Sequence, residues 1–464
     1  MTDYRDLVAR TVVRAQKHSV QAPHILCEAM RTHQRAATKF ALEQGCAALF
    51  LDTGLGKSLC AFAWAENVAR HSGKPVLMLA PLGVVGQHHR EAERFGYSAT
   101  ICRSQEDVRP GLNLANYDRL HLFDAAKFGG IVLDESSIIK NFSGVMTRRL
   151  MEFASVIPYR LACTATPAPN DHMELGQHAQ FLGVMSSSEM LSRWFIADQS
   201  EMGRYRLKRG GVRPFWRWVA SWARCAEYPS DLGGYDEGYI LPSLNLRRHI
   251  VKTDISEDAG DEDGQALLFR IPSNSATSIH REKRKTAADR AARIAELVTA
   301  EPSEPWLIWC ETDYDADAVR ALLPQAIEVH GRMDADAKEA GLAAFSDGSA
   351  PILITKPSIA GWGLNWQHCA RVAFAGLSFS YESFYQAVRR CWRFGQGREV
   401  YVHVACAETE EAIWQTIVRK RDDHDRMKQA MRKAMAEAVE VRSVKLDYAP
   451  TKQAALPTWL KEAA

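Results

Sequence analysis

Apolar and polar positions along the chain fall into two alternating textures. Short, nearly continuous apolar runs recur: "AALFL" at 47, "VLMLA" at 76, "IVL" at 131, "WLIWC" at 306, "PILIT" at 351, "RVAFA" at 371 and "VYVHVA" at 400. Between them lie stretches with apolar residues at helical spacing, such as "KSLCAFAWAENVAR" from 57 and "DADAVRALL" from 315. Unbroken apolar runs suit strands buried on both faces, and strands alternating with helices predict parallel sheets covered by helices. The runs form two groups, roughly 47–163 and 306–405, so the pattern predicts two α/β lobes. Residues 185–245 differ, being rich in Trp, Arg and Gly, and "SEDAGDEDG" at 256 reads as an acidic loop. A charged helix is predicted over about 407–443, with Ile413, Trp414, Ile417 and Val418 on its apolar side. The expected division is a first lobe over 1–255 carrying an insertion at about 185–245, a linker over 256–285, a second lobe over 286–406, and a brace helix with a tail over 407–464.

Composition narrows the class. At 464 residues the chain exceeds one ordinary core, and 46% hydrophobic with 25% charged residues is a globular mixture. The net charge of +2 gives no global basic field, so recognition of nucleic acid has to come from local sites. The N-terminal segment is charged and lacks the apolar core of a secretory signal, and no apolar stretch is long enough to cross a membrane. The ten cysteines include no C-x-x-C pair, which argues against a zinc site and disulfide staples. Together these features predict a cytosolic protein with no membrane partner, and the compactness of the chain suits a bacterium or a phage-infected host.

Candidate chemistry begins at "LFLDTGLGKSL", residues 49–59. Gly54 and Gly56 let backbone N–H groups approach a phosphate, and the helix that follows presents its positive end. Thr53, Gly54, Leu55, Gly56, Lys57 and Ser58 are therefore the expected nucleotide cradle. Lys57 would reach the β- and γ-phosphates and the Ser58 hydroxyl would ligate Mg²⁺. Downstream, "GGIVLDESSIIKN" predicts a buried strand ending at Asp134 and Glu135. Asp134 can hold the metal through water, while Glu135 can deprotonate an attacking water. Arg390 and Arg393, three apart, would share a face if helical, and guanidiniums there could reach across a cleft to a transferring phosphoryl group.

These segments, in this order, resemble superfamily-two helicases, in particular the Swi/Snf-like branch of DNA translocases, over roughly 30–435. "THQRAATKF" resembles the adenine-reading segment, with Gln34 at its glutamine. "LAPLGVVGQHHRE", "LANYDRL" and "LACTATPAPND" resemble further motifs of the first lobe. "LDESS" occupies the Asp-Glu-x-His position with Ser137 in place of His, and "LPSLNLRRHIVKT" resembles the stretch that closes lobe one. "ITKPSIAGWGLNWQ" and "YQAVRRCWRFGQ" resemble motifs of the second lobe, the latter matching at Gln386, Arg390, Arg393, Gly395 and Gln396. The resemblance implies two RecA-like lobes, ATP and Mg²⁺ as cofactors, catalytic roles for Lys57, Asp134, Glu135, Gln386, Arg390 and Arg393, and a further nucleotide contact at Gly363. It also implies backbone contacts to nucleic acid from Pro81, Asn116, Thr164, Thr166, Thr355, Gly361 and Asn365.

The insertion segment "GRYRLKRGGVRPFWRWVASWARCAEY" at 203–228 interleaves basic and aromatic residues, as nucleic-acid surfaces do. Arg204, Arg206, Lys208 and Arg209 are the expected backbone contacts. Trp218 and Trp222, four apart, suit a buried stripe. The whole reads as a monomeric ATP-driven motor on DNA, duplex in preference to single strands. A strand-separating DNA or RNA helicase and a non-catalytic DNA-bound scaffold are the alternatives.

Overall fold

The computed structural model describes residues 15–21, 23–140, 144–168, 171–197, 205–252, 283–360 and 364–443. Two parallel sheets organise it. The first contains β1 (Cys46–Leu51), β2 (Val76–Ala80), β3 (Ala99–Ile101), β4 (Leu112–Asn116), β5 (Gly130–Asp134) and β6 (Tyr159–Cys163). A small antiparallel hairpin of β7 (Phe195–Ala197) and β8 (Tyr205–Leu207) lies in the insertion, and β9 (Ala223–Ala226) returns to the main sheet. The first sheet runs β3-β4-β2-β5-β6-β1-β9, parallel throughout. The second contains β10 (Leu244–Val251), β11 (Trp306–Trp309), β12 (Ile327–Val329), β13 (Ile352–Thr355), β14 (Arg371–Phe374) and β15 (Val400–Ala407). Its order is β10-β15-β14-β11-β13-β12, again all parallel. Both are RecA-like lobes. Strands such as β1, β2 and β5 are buried at every position, which explains their unbroken apolar sequence.

Two boundaries differ from the sequence expectation. "LNLRRHIV", expected to close lobe one, is β10, the edge strand of the second sheet, paired along its whole length with β15. Lobe two therefore begins before residue 255. β9, inside the expected insertion, is an integral strand of lobe one beside β1. Most of the linker expected at 256–285, and the tail after 443, lie outside the described residues.

The helix Glu411–Ser443 does the bracing. Ile413 joins the second lobe's core, while Met427, Met431 and Met435 join a cluster in lobe one with Trp218 and Trp222. Those tryptophans lie on the insertion helix Val212–Trp222 and are buried, in keeping with the four-residue spacing. All ten cysteines are free. Among the described residues no helix is long and apolar enough to cross a membrane.

Candidate active site in the cleft between the lobes

β1 ends at Leu51 and the chain turns through Asp52–Gly56 into the helix Lys57–Ser72. Gly54 and Gly56 have φ of 92° and 83°, a region that side chains disfavour. Space excludes side chains as well: a Cβ on Gly56 would stand 2.1 Å from Gln34 Nε2, and one on Gly54 would stand 2.7 Å from Phe394 Cβ. Phe394 belongs to lobe two, so the last motif packs directly on the phosphate loop. Gln34 is buried and grips the loop, donating from Nε2 to the Leu55 carbonyl at 3.2 Å and accepting at Oε1 from the Arg31 N–H at 2.9 Å. Lys57 Nζ donates to the Leu51 carbonyl at 2.9 Å, which folds the lysine back over the loop. Thr53 and Leu55 line an interlobe cavity of about 460 Å³ with Tyr239 and Phe394, whose rings stack at 4.6 Å.

β5 delivers the two carboxylates. Asp134 is buried, and its Oδ2 meets His88 Nε2 at 2.7 Å. Burial opposes charge on His88, but the Asp134 carboxylate outweighs it and lifts the imidazole pKa to about 9. Glu135 has φ 54°, the one positive φ on a residue other than glycine among those described. Burial and the Asp134 charge raise its pKa, while Lys57, Arg390 and the Thr164 hydroxyl favour its ionised form. The Thr164 hydroxyl donates to Glu135 Oε2 at 3.3 Å.

From lobe two, the helix Tyr381–Val388 stops before Arg390 and Arg393, which sit in the turns that follow. They share a target rather than a helix face: each donates from Nη1 to the Leu364 carbonyl at 3.1 Å. Gln386 orients Arg390, accepting at its carbonyl from Nε and at Oε1 from Nη2, both at 3.0 Å. Burial first, and crowding with neighbouring arginines after it, lowers Arg393 to about 9 and Arg390 to about 10. Gln386 Nε2 and Arg393 Nε are buried with no partner among the described residues. Buried donors without acceptors, beside crowded cations and a glycine cradle, fit a multiply charged anion such as a triphosphate. Among the described residues no group of three or more His, Cys, Asp or Glu could hold a metal by itself.

The expected nucleic-acid contacts divide. Pro81 and Asn116 line a cleft cavity of about 390 Å³ together with Glu135, although the Asn116 side chain also accepts from the Arg119 N–H at 3.1 Å. Asn365 is exposed. Thr164, Thr166 and Thr355 are all buried. Thr164 is held by Glu135 and by the Thr166 N–H, and Thr355 donates to the Val329 carbonyl at 2.9 Å. The Thr164 and Thr355 hydroxyls thus bond their own surroundings, whereas the Thr166 hydroxyl is buried with no partner among the described residues. Arg206 and Arg209 are exposed, whereas Lys208 is spent on the Ser192 and Arg193 carbonyls at 2.8 and 2.9 Å. Gly361, Gly363 and Arg204 lie outside the described residues. His88 was not among the expected site residues although it lies within "GQHHRE". Nothing local marks which histidine of that pair turns inward.

Two RecA-like parallel-sheet lobes meet here, with a glycine-rich turn on one and paired arginines on the other. Residues 289–395 match the family "Helicase conserved C-terminal domain", which spans the lobe-two machinery. The chain is 22% identical to the protein named p41 from Acyrthosiphon pisum secondary endosymbiont phage 1, over 82% of this chain and 94% of that protein. It is also 22% identical to YwqA of Bacillus subtilis, named as an ATP-dependent helicase/translocase, over 82% of this chain but 46% of that longer protein. Among solved structures it aligns with the Sulfolobus solfataricus SWI2/SNF2 ATPase core in complex with dsDNA, at TM-score 0.42 and 17% identity, covering 92% of this chain and 99% of that one. The family match covers lobe two, and the order of motifs across both lobes is similar to that of superfamily-two helicases of the Swi/Snf-like kind.

Proposed function

We propose that the motor tracks along double-stranded DNA, hydrolysing ATP with Mg²⁺ in the interlobe cleft and working as a monomer. The observation that carries the ATP half is the gathering of positive charge where the lobes meet: Lys57 and Arg390 act on Glu135, Arg393 is crowded by Arg390, and two buried donors are still unpartnered among the described residues. Bound magnesium-ATP supplies the phosphoanhydride whose cleavage drives the cycle. The chain's own residues do the rest. The Thr53–Ser58 loop and Lys57 would hold the triphosphate, Ser58 and Asp134 would hold the metal, and His88 fixes the Asp134 carboxylate. Glu135, oriented by Thr164, takes a proton from water at a carboxylate oxygen. Arg390 and Arg393 leave the Leu364 carbonyl for the developing phosphoryl charge.

For the nucleic acid, the reading rests on the cleft beside Glu135. Pro81 and Asn116 from lobe one, and Lys140, Lys356, Ser358 and Ser380 from near or beyond the junction, line two cavities that meet at the Lys140–Glu382 ion pair. Both lysines are ion-paired, Lys140 with Glu382 and Lys356 with Asp313 at 2.6 Å, so the Ser358 and Ser380 hydroxyls are the candidates there for backbone contacts. Translocation on duplex is favoured by the Swi/Snf-like motif set and by the helicase/translocase name of YwqA. Retention of every catalytic side chain speaks against a scaffold. The test is ATP turnover measured with duplex DNA, single-stranded DNA and RNA in turn. Duplex DNA should stimulate most. Equal or greater stimulation by single strands would return the reading to a strand-separating helicase, and preference for RNA would replace DNA as the track.

A further inference from the structure

The Asp52 side chain, one residue before the phosphate loop, is buried and meets donors from three parts of the chain. Its Oδ1 accepts from the Thr53 N–H at 2.6 Å, the Tyr385 hydroxyl at 2.6 Å and Arg389 Nη2 at 2.7 Å. Its Oδ2 accepts from Lys428 Nζ at 2.8 Å. Thr53 is in lobe one, Tyr385 and Arg389 in lobe two, and Lys428 on the C-terminal helix. Arg389 also donates to the Thr53 carbonyl at 3.3 Å. One carboxylate thus gathers both lobes and the brace.

Its charge state is fixed. Burial resists ionisation of Asp52, but Arg389 and Lys428 overcome that and hold its pKa far below the usual carboxylate range. Taking three ions out of water is costly, and the cost is recovered only while all three stay together. Opening the cleft has to break this cluster, so it opposes opening without any nucleotide. The cluster also assigns Arg389 a role different from that of its neighbours. Arg390 and Arg393 lean on a neutral carbonyl, whereas Arg389 is already neutralised by Asp52.

We propose that Asp52, Tyr385, Arg389 and Lys428 form an interlobe latch that positions the phosphate loop and makes the C-terminal helix a working part of cleft closure. Arg389 is then a positioning residue and not a phosphoryl contact. The effect on ATP affinity rests on the nucleotide site proposed above, but the latch itself does not.

The first variant is Lys428→Met, which leaves Asp52 and Arg389 paired one to one and so spares the fold. In the full chain without nucleotide, backbone hydrogen exchange should quicken at 52–57 and at 381–392, segments that do not contain residue 428. If the closed population falls about tenfold, affinity for a non-hydrolysable ATP analogue falls about tenfold, while kcat at saturating ATP stays within about threefold. Arg389→Gln should reproduce this split, and the double variant should be less impaired than the sum of the two single ones. Exchange that quickens only within 411–443 would overturn the latch, as would strict additivity. Loss of kcat with intact nucleotide affinity in Arg389→Gln would turn that residue into a phosphoryl contact. Should the wild-type chain bind no ATP at all, the nucleotide site fails while the exchange measurement still decides the latch.

Discussion

Glu135 carries the most strained backbone of the cleft and a carboxyl that its surroundings push toward protonation. Both follow from standing at the buried end of β5 beside Asp134, and both suit a general base, whose pKa works best nearer the operating pH. Glu135→Gln should bind ATP and lower turnover by about 10²–10⁴, the range for a lost proton acceptor. Because burial disfavours the ionised form, replacing it with a neutral isostere should raise the melting temperature rather than lower it. Turnover in the wild type should fall as pH drops through the raised Glu135 pKa, at a higher pH than a free glutamate would give. A pH–rate profile with an ordinary glutamate limb, or near-normal turnover in the variant, would remove the assignment. Lys57, Asp134 and Glu135 were legible in the sequence because each motif is local: strand, turn and side chain lie within a dozen or so residues. Asp52 was not. Its partners are 333 to 376 residues away, and no local pattern marks a carboxylate that three distant donors will find. A strand-end threonine is ambiguous for the converse reason, since its hydroxyl looks the same in sequence whether it faces a ligand, a carboxylate such as Glu135 or a backbone carbonyl.

At the scale of elements, strands buried on both faces announced themselves as apolar runs. β9 did not, because "ARCA" carries Arg224, which is buried while giving Nη1 to the Ala220 and Ala223 carbonyls and lying 3.5 Å over the Phe40 ring. β10 has only exposed and half-buried residues, as suits an edge strand, and so could be assigned to either lobe by pattern alone. The insertion helix separates its two roles cleanly. Phe215, Trp216, Trp218 and Trp222 point into the core shared with the brace, while Arg206 and Arg209 stay exposed just upstream. Trp218→Ala should cost about 3–5 kcal/mol of stability through the cavity it leaves, with no change in the salt dependence of DNA binding. Arg206→Ala with Arg209→Ala should leave melting unchanged and weaken DNA binding equally across sequences. The slope of log affinity against log salt should flatten by about 0.9 for each phosphate that the pair no longer neutralises. An unchanged slope would confine the DNA track to the cleft between the lobes.

For the whole molecule, several histidines are buried neutral where the packed elements meet. His178 in lobe one is pushed down to about 4, His403 in lobe two to about 4, and His424 on the brace helix to about 3, in each case first by burial. An unfolded histidine titrates near 6.5. Each folded pKa lies below the unfolded one, so between about 6.5 and the folded value the unfolded chain binds more protons, and stability falls as pH falls. Above about 6.5 both states are neutral and these residues contribute no slope. Each histidine should therefore remove up to about 1.4 kcal/mol per pH unit below that point, and three together make the fold markedly acid-sensitive near pH 5. His424 isolates the effect. Both of its ring nitrogens are buried with no partner among the described residues, and the ring packs at 5.6 and 5.7 Å against Tyr381 and Tyr385 beside the Asp52 cluster. His424→Phe keeps an aromatic ring there and removes the proton site. Its unfolding free energy should match the wild type at pH 7.5, apart from a pH-independent offset from repacking, and lose about one proton's worth of slope between pH 6 and 4.5. Denaturant unfolding at a series of pH values reads this directly; parallel curves for variant and wild type would show that His424 does not remain neutral in the fold.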